Sequence, residues 1–555
     1  MNVPTRLVTK MGHFCKAACL SLSMLGMAGV AQAQPEVELE TMDAAAAPAS
    51  KTLERGLKFF KDRDYYSASI ELKKVVDGKS GDDDFGKQKA EYYLGRTMYD
   101  LKLYAGALAY FDRIVEAGDA HAFHGATLKY LARLAKALPE TAGIYTRIGT
   151  YSETAFESPA LEDVRDELIY LQGRHFYRKG DVDKALEMFG RVREDSVVWL
   201  RAKFFQGVTL AARKFDGPAA LEAFQSILVV GEERGAFISS VRKRLKGADA
   251  KEWSEGAINK EITQFVELTN LQLGRVFYSV RDYDKAIKYF EKIPQISIDW
   301  PLALFEASWA YFMKNMNDKA LGNIHSLGAP YFENEFFPEA TILRAVIYYQ
   351  YCLYDRALEA VADYNDKYGP LKKNLIEIAG KYEDQADFYA YIGKVRAGKG
   401  GIDKPTERLL LSALRDRTVA KSFEWVDELD RELKAIDRAD KSWQSTAIAT
   451  EVQQELEVQK SLAEASAGKL SRTRIDGLIA ELSELSLQGT RIRFEVLGAQ
   501  AGKETGETRE ELVAGATRSP KIEIDDEHFA WKFRGEYWRD ELGYYRFRIE
   551  SKCKK

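Results

Sequence analysis

"LGRTMYDLKLYAGALAYFDRI" (Leu94–Ile114), "QGRHFYRKGDVDKALEMFGRV" (Gln172–Val192) and "LGRVFYSVRDYDKAIKYFEKI" (Leu273–Ile293) align without a gap. Each opens on Gly-Arg-x-(Met/Phe)-Tyr. An alanine follows twelve residues after the glycine (Ala107, Ala185, Ala286), then a phenylalanine four further on (Phe111, Phe189, Phe290) and an aliphatic three beyond that (Ile114, Val192, Ile293). Steps of three and four are the helical period, so the glycine and the Met/Phe share one face of a first helix. The stretches "LKLY", "KGDV" and "VRDY" break that helix, and Ala, Phe and Ile/Val recur on a second, amphipathic one. Small residues at Gly and Ala let two helix axes approach, and the large side chains fill the groove beside the contact. The unit is a helical hairpin.

The pattern resembles the tetratricopeptide repeat, whose hairpins of about 34 residues stack side by side. Gly56, Phe59, Tyr65, Ala68, Leu72 and Val75 form another good copy. Gly207, Leu210, Ala220, Phe224 and Ile227 form one with a residue inserted at "FDGPAA". Weaker copies run through Ser308, Tyr311, Ala320 and Ile324, and through Ala345, Tyr348, Tyr354, Ala357 and Val361. A degenerate unit, interrupted by Pro139, occupies 125–151. The alanines are 39 residues apart from Ala68 to Ala107 but 34 from Ala286 to Ala320, which leaves room for longer loops such as "GAFISSVRKRLKG". The expected fold is therefore all-α, a tetratricopeptide-type solenoid of about eight hairpins over residues 51–370.

Arg96, Arg174 and Arg275 are the unusual letters, each followed three residues later by Tyr99, Tyr177 or Tyr278. The i, i+3 spacing puts both on one face, and the resemblance implies that this face lines the superhelical groove. Arginine and tyrosine are enriched where partners bind. In the other reading, each arginine pairs with an acid of the next repeat and each tyrosine packs between neighbours. The Lys/Asn set with which some family members clamp a peptide's carboxylate is incomplete in this chain.

The 555 residues are 46% hydrophobic and 30% charged, which excludes a disordered chain. Eighty-one basic residues against 85 acidic ones give no basic excess of the kind nucleic-acid binders carry. Arg6, Lys10 and Lys16 precede the apolar run "AACLSLSMLGMAGV", which ends at "AQA". That arrangement predicts a secretory signal peptide over 1–33, cleaved after Ala33, a linker over 34–50 and a periplasmic location. The apolar run is too short to span a bilayer, and no later segment is long and apolar enough. Cleavage leaves Cys352 and Cys553, which would pair in an oxidising compartment or remain as a core residue and a tail thiol.

After the repeats, 371–404 reads as a helix ending in a glycine-rich joint, "AGKGG", which lacks the spacing of a phosphate loop. Residues 405–502 read as an antiparallel helical arm. Val426, Leu429, Leu433 and Ile436 step as a coiled-coil seam, and Val452, Leu456 and Leu462, then Leu478, Leu482 and Leu485, continue as two helices separated at "SAGKLS". The arm could equally serve a partner or a second copy of the chain. Residues 503–525 read as a linker. The module 526–555 carries eight aromatics between Phe529 and Phe547, and its alternation at Tyr545, Phe547 and Ile549 predicts a small β-hairpin. Trp531, Tyr537, Trp538 and Tyr544 are its candidate docking residues. Tails of the form "GEYWRDELGYY" resemble those of exported repeat proteins from gliding and predatory bacteria.

No nucleophile elbow, Cys-His motif or nucleotide fingerprint occurs. His121 and His124, near Glu116 and Asp119, lack a third ligand on their face, so neither metal nor cofactor is expected. The resulting expectation is a non-enzymatic scaffold holding protein partners in a cell-envelope complex (motility, secretion or outer-membrane assembly). The alternative is a periplasmic binder of a soluble peptide or glycan.

Overall fold

The structure, a computed structural model, describes residues 49–505 and 535–553. The expected leader, nearly all of the 34–50 linker, and residues 506–534 with Trp531 lie outside the described residues.

Eight helical hairpins follow one another, a tetratricopeptide-like series. They are α1 (Lys51–Lys61) with α2 (Tyr65–Val76), α3 (Asp84–Asp100) with α4 (Tyr104–Ala117), α5 (His124–Ala137) with the short α6 (Ile144–Ile148), and α7 (Arg165–Lys179) with α8 (Val182–Arg191). Next come α9 (Trp199–Thr209) with α10 (Gly217–Glu232) and, after the inserted α11 (Arg234–Arg244) and α12 (Gly247–Glu252), α13 (Glu255–Ser279) with α14 (Tyr283–Phe290). The last two are α15 (Trp300–Met313) with α16 (Asn317–Leu327) and α17 (Pro338–Gln350) with α18 (Tyr354–Lys381).

The glycine signature acts as its size suggests. A Cβ on Gly95, Gly173 or Gly207 would stand 2.6, 2.7 or 2.6 Å from a ring carbon of Phe111, Phe189 or Phe224, and one on Gly274 would press as closely on Phe290. The hairpin turns share a second device. One residue adopts the left-handed conformation, and it is Arg63, Lys102, Phe215, Arg281, Asn315 or Cys352, with φ between 54° and 64°, or Gly180. The next residue caps the second helix where it is aspartate. Asp64, Asp181, Asp216 and Asp282 each accept from the amide three residues on. The extra residue of the fifth hairpin is absorbed just before "FDGPAA", in a π-helical turn at Leu210–Lys214.

The described chain divides into two compact units, 49–265 with 420–467, and 266–419 with 468–553. In the first, α21 (Arg417–Arg438), α22 (Lys441–Gln444) and the start of α23 (Ala447–Thr505) lie against the first two hairpins. Trp443, 2% exposed, donates from Nε1 to Ser69 Oγ at 2.9 Å, and Glu451 pairs with Lys73 (2.7 Å) and Arg113 (2.9 Å). Of the seam, Val426, Leu429 and Ile436 are buried and Leu433 is half-buried; on the next helix Val452 and Leu456 are buried, but Leu462 is 67% exposed.

In the second unit, the later part of α23 packs on α17–α19, where α19 is Gln385–Arg396. Leu478, Leu482 and Leu485 are buried, and Tyr364 donates to the Leu482 carbonyl at 2.8 Å. Two expectations are corrected. The 405–502 segment, with α20 (Lys404–Ala413) at its head, is laid on the repeats rather than set apart as an arm. There is also no break at "SAGKLS", because Gly468 sits inside α23 where a Cβ would collide with the Gln385 carbonyl. The last repeat helix also overruns the expected boundary at 370, with Pro370 inside it.

Candidate partner-binding faces

The three signature arginines turn inward. Arg96 is 6% exposed, and its guanidinium lies over Tyr93 (4.6 Å), Phe60 of the preceding hairpin (4.7 Å) and Tyr130 of the following one (5.6 Å). Burial lowers its pKa, against the pull of Tyr130 and Asp100. Arg174, 5% exposed, donates to Glu140 at 2.5 Å and to the Tyr170 hydroxyl at 3.1 Å, and stacks 4.0 Å over Phe205. Arg275, also 5% exposed, grips both Glu306 oxygens from Nε (3.0 and 2.9 Å) and one from Nη2 (2.6 Å). Glu306 belongs to the next hairpin and is 3% exposed.

Tyr177 and Tyr278 are buried against Phe205 (5.9 Å) and Tyr283 (5.3 Å), and Tyr99 is half-buried between Tyr104 and Tyr130. The groove reading of Arg96, Tyr99, Arg174, Tyr177, Arg275 and Tyr278 is therefore corrected. The arginines stitch neighbouring hairpins, as buried planar cations do when each has its own acid or ring. Tyr99 and Tyr177 pack across to the next hairpin, and Tyr278 packs within its own.

Other charged groups of the first unit were not singled out in the sequence. Lys136 of α5 pairs with Glu167 of α7 at 3.0 Å and faces Asp249 of α12 at 4.0 Å. Arg201 of α9 pairs with Glu261 at 2.6 Å, with Trp253 5.7 Å from its guanidinium. Thus α12 and the residue after it bring Asp249 and Trp253 onto first helices of the hairpins, at Lys136 of α5 and Arg201 of α9. The acids outnumber the bases there. The only signal in sequence was the insertion "DAKEWSE", a tryptophan among acids between two repeat copies.

In the second unit the C-terminal segment is docked on α15–α17. Leu542 and Ile549 are buried in the core of those hairpins. The Phe547 amide donates to the Asp318 carbonyl (3.1 Å), the Lys552 amide to the Tyr351 carbonyl (2.9 Å) and the Gly543 amide to Ser326 Oγ (2.8 Å). Gln295 donates to the Leu542 carbonyl at 2.8 Å. A Cβ on Gly322 would overlap the Tyr545 carbonyl, so only glycine admits the segment there.

His325 is ringed by Tyr537 (4.8 Å), Tyr545 (4.9 Å) and Phe547 (5.2 Å), and burial, helped by Arg344, lowers its pKa to about 4. No strand occurs among the described residues, which corrects the β-hairpin. Three of its amides, those of Gly543, Phe547 and Lys552, bond to the repeats instead of to a partner strand. Tyr537 is a docking residue, whereas Trp538 (57%) and Tyr544 (74%) point to solvent. Cys352, at the left-handed turn of the last hairpin, is bonded to Cys553.

His121 and His124 take separate neighbours. His124 Nδ1 is 3.0 Å from Asp119 and its ring stacks on Tyr151 at 4.1 Å, while His121 Nε2 lies 3.6 Å from Glu91. Among the described residues no group of three or more His, Cys, Asp or Glu converges as a metal site, and no helix is long and apolar enough to cross a membrane.

No family model matches the chain, and no curated protein matches it. Among solved structures it is similar to a crystal structure of an APC/C hetero-tetramer, Cut9-Hcn1. The identity is 11%, the TM-score 0.22, and the match covers 81% of this chain and 98% of that one.

Proposed function

We propose that the chain is an exported scaffold that holds protein partners in a cell-envelope complex. The observation that carries the binding half of this reading is the series of hairpins itself. Stacked repeats present a long pre-formed surface, and little ordering entropy is lost when a partner docks on it. Export is supported by the cysteines. Of four in the sequence, two fall in the expected leader, and the other two, 201 residues apart, are the pair that meets. A disulfide persists in oxidising compartments and is rare in the cytosol.

The test is affinity capture from a periplasmic extract after mild crosslinking, with a leaderless cytoplasmic form as control. Defined protein partners, captured only by the exported form in which a non-reducing gel reports the Cys352–Cys553 bond, are expected. Reduced cysteines in the exported protein would remove the support for the compartment. A saturable small solute in place of proteins would refute the scaffold.

A further inference from the structure

The later part of α23 has two unlike faces. Leu478, Leu482, Leu485, Ile492 and Val496 are buried in the second unit, and Gly489 lies against Val361. On the opposite side Leu487 is 46% exposed, Phe494 68% and Leu497 47%, with Ser483 and Thr490 also exposed. Residues 483, 487, 490, 494 and 497 step by four, three, four and three, which is the a/d repeat of a two-helix seam. Helix packing within the unit does not use these positions, because at helical period they lie about half a turn from the buried row.

The charges beside the seam select its occupant. Glu484 and Arg491 flank it on the same edge, one heptad apart. An antiparallel copy of the helix, with its two-fold axis between Leu487 and Thr490, sets Leu487 against the other copy's Thr490 and Phe494 against its Ser483. The same register places Glu484 of each copy opposite Arg491 of the other, twice, by symmetry. A parallel pairing would line up Phe494 with itself but would join neither charge to its opposite.

We infer that the exposed a/d face of α23 between Ser483 and Leu497 is a self-association surface, and that its partner is a second, antiparallel copy of this chain. The interface is isologous, as two-fold dimers require. About four turns of one helix per copy, on the order of 800–1,000 Å² in total, falls below the usual size of specific stable complexes, so a weak dimer is expected.

Sedimentation equilibrium of the full mature chain between about 1 and 200 µM, at low and moderate salt, reads this directly. Wild type is expected to move from monomer to dimer across that range, more readily at low salt. Phe494→Glu should hold it monomeric with unchanged circular dichroism and melting. Glu484→Arg alone and Arg491→Glu alone should each weaken the dimer about tenfold, and the double exchange should restore it. Restoration separates an antiparallel pair from general stickiness. A wild type that stays monomeric at all concentrations overturns the inference and leaves the seam to another protein. A dimer indifferent to Phe494→Glu, or a double exchange that fails to restore, overturns it as well.

Discussion

Glu432 offers a pH experiment with a definite sign. Helix α4 begins at Leu103–Tyr104 without a side-chain cap of its own, and the carboxylate of Glu432, reaching from α21, accepts from the Ala105 amide at 2.7 Å and the Gly106 amide at 3.1 Å. The residue is 1% exposed. Burial pushes its pKa up to about 7 from an ordinary 4.5, against the downward pull of those amides and of Arg431. Because the folded value is the higher one, the folded state holds this proton more tightly. The contribution to stability is complete below about pH 4.5 and is lost as pH rises through about 7. The gap between 4.5 and about 7 corresponds to a ceiling of roughly 3–4 kcal/mol. Glu432→Gln keeps an acceptor for the amides and cannot ionise. Urea unfolding of wild type and variant at several pH values between about 5 and 8.5 should give a difference that moves in the variant's favour with rising pH and levels off above about 7.5. Taking the difference cancels every other titrating group. A gap constant to within about 0.5 kcal/mol over that range would refute the buried, proton-holding carboxylate.

Gly274→Ala should destabilise the second unit by about 1–2 kcal/mol net, as the clash with Phe290 outweighs the helix propensity gained. The same change at Gly477, where a Cβ meets nothing within 4 Å, should stabilise by about 0.5–1 kcal/mol in parallel chemical unfolding. Glu306→Ala removes the carboxylate that grips the buried Arg275 and should cost about 3–5 kcal/mol, while Arg275→Met with Glu306→Leu should come close to wild type. Gly322→Val should lift the C-terminal segment off α16 around Tyr545, its end still tethered by the Cys352–Cys553 bond. By NMR titration the His325 imidazole should then move from about 4 towards its ordinary 6.5. Since the docked value is the depressed one, docking in wild type should weaken as pH falls from about 6.5 to 4, and unchanged titration in the variant would contradict the aromatic ring around His325.

The repeat series was legible because three- and four-residue steps are a property of the helix itself, and Gly, Ala and Phe at fixed intervals report one packing geometry. The Arg–Tyr pairs were legible as a pattern but not as a face. Spacing of three places two side chains together without saying whether solvent or the next hairpin lies beyond them. That answer sits in Glu306, Glu140, Phe60 and Tyr130, which belong to neighbouring hairpins. Gly468 misled for a related reason. A glycine in a polar helical stretch reads as a break, yet it marks a close backbone approach by Gln385, 83 residues earlier in the chain. Tyr545, Phe547 and Ile549 alternate as a strand would, but alternation fixes only an extended backbone, and in this chain its middle amide, that of Phe547, is taken by the Asp318 carbonyl of the repeats.

On the proposed scaffold reading, the inward turn of the arginines shifts where partner specificity would reside. Once Arg96, Arg174 and Arg275 are consumed in joining hairpins, the repeated letters set the spacing of the scaffold and leave its surface to residues that do not repeat. The candidates are then the departures from the pattern: Trp538 and Tyr544 on the docked C-terminal segment, and the outer row of α23. Each is present once, which is what recognition of distinct partners by a repetitive scaffold requires. A change at Trp538 or Phe494 should therefore alter association while leaving unfolding unchanged, and a change at Arg275 should do the reverse. Measured side by side, those two variants separate the residues that build the solenoid from the residues that use it.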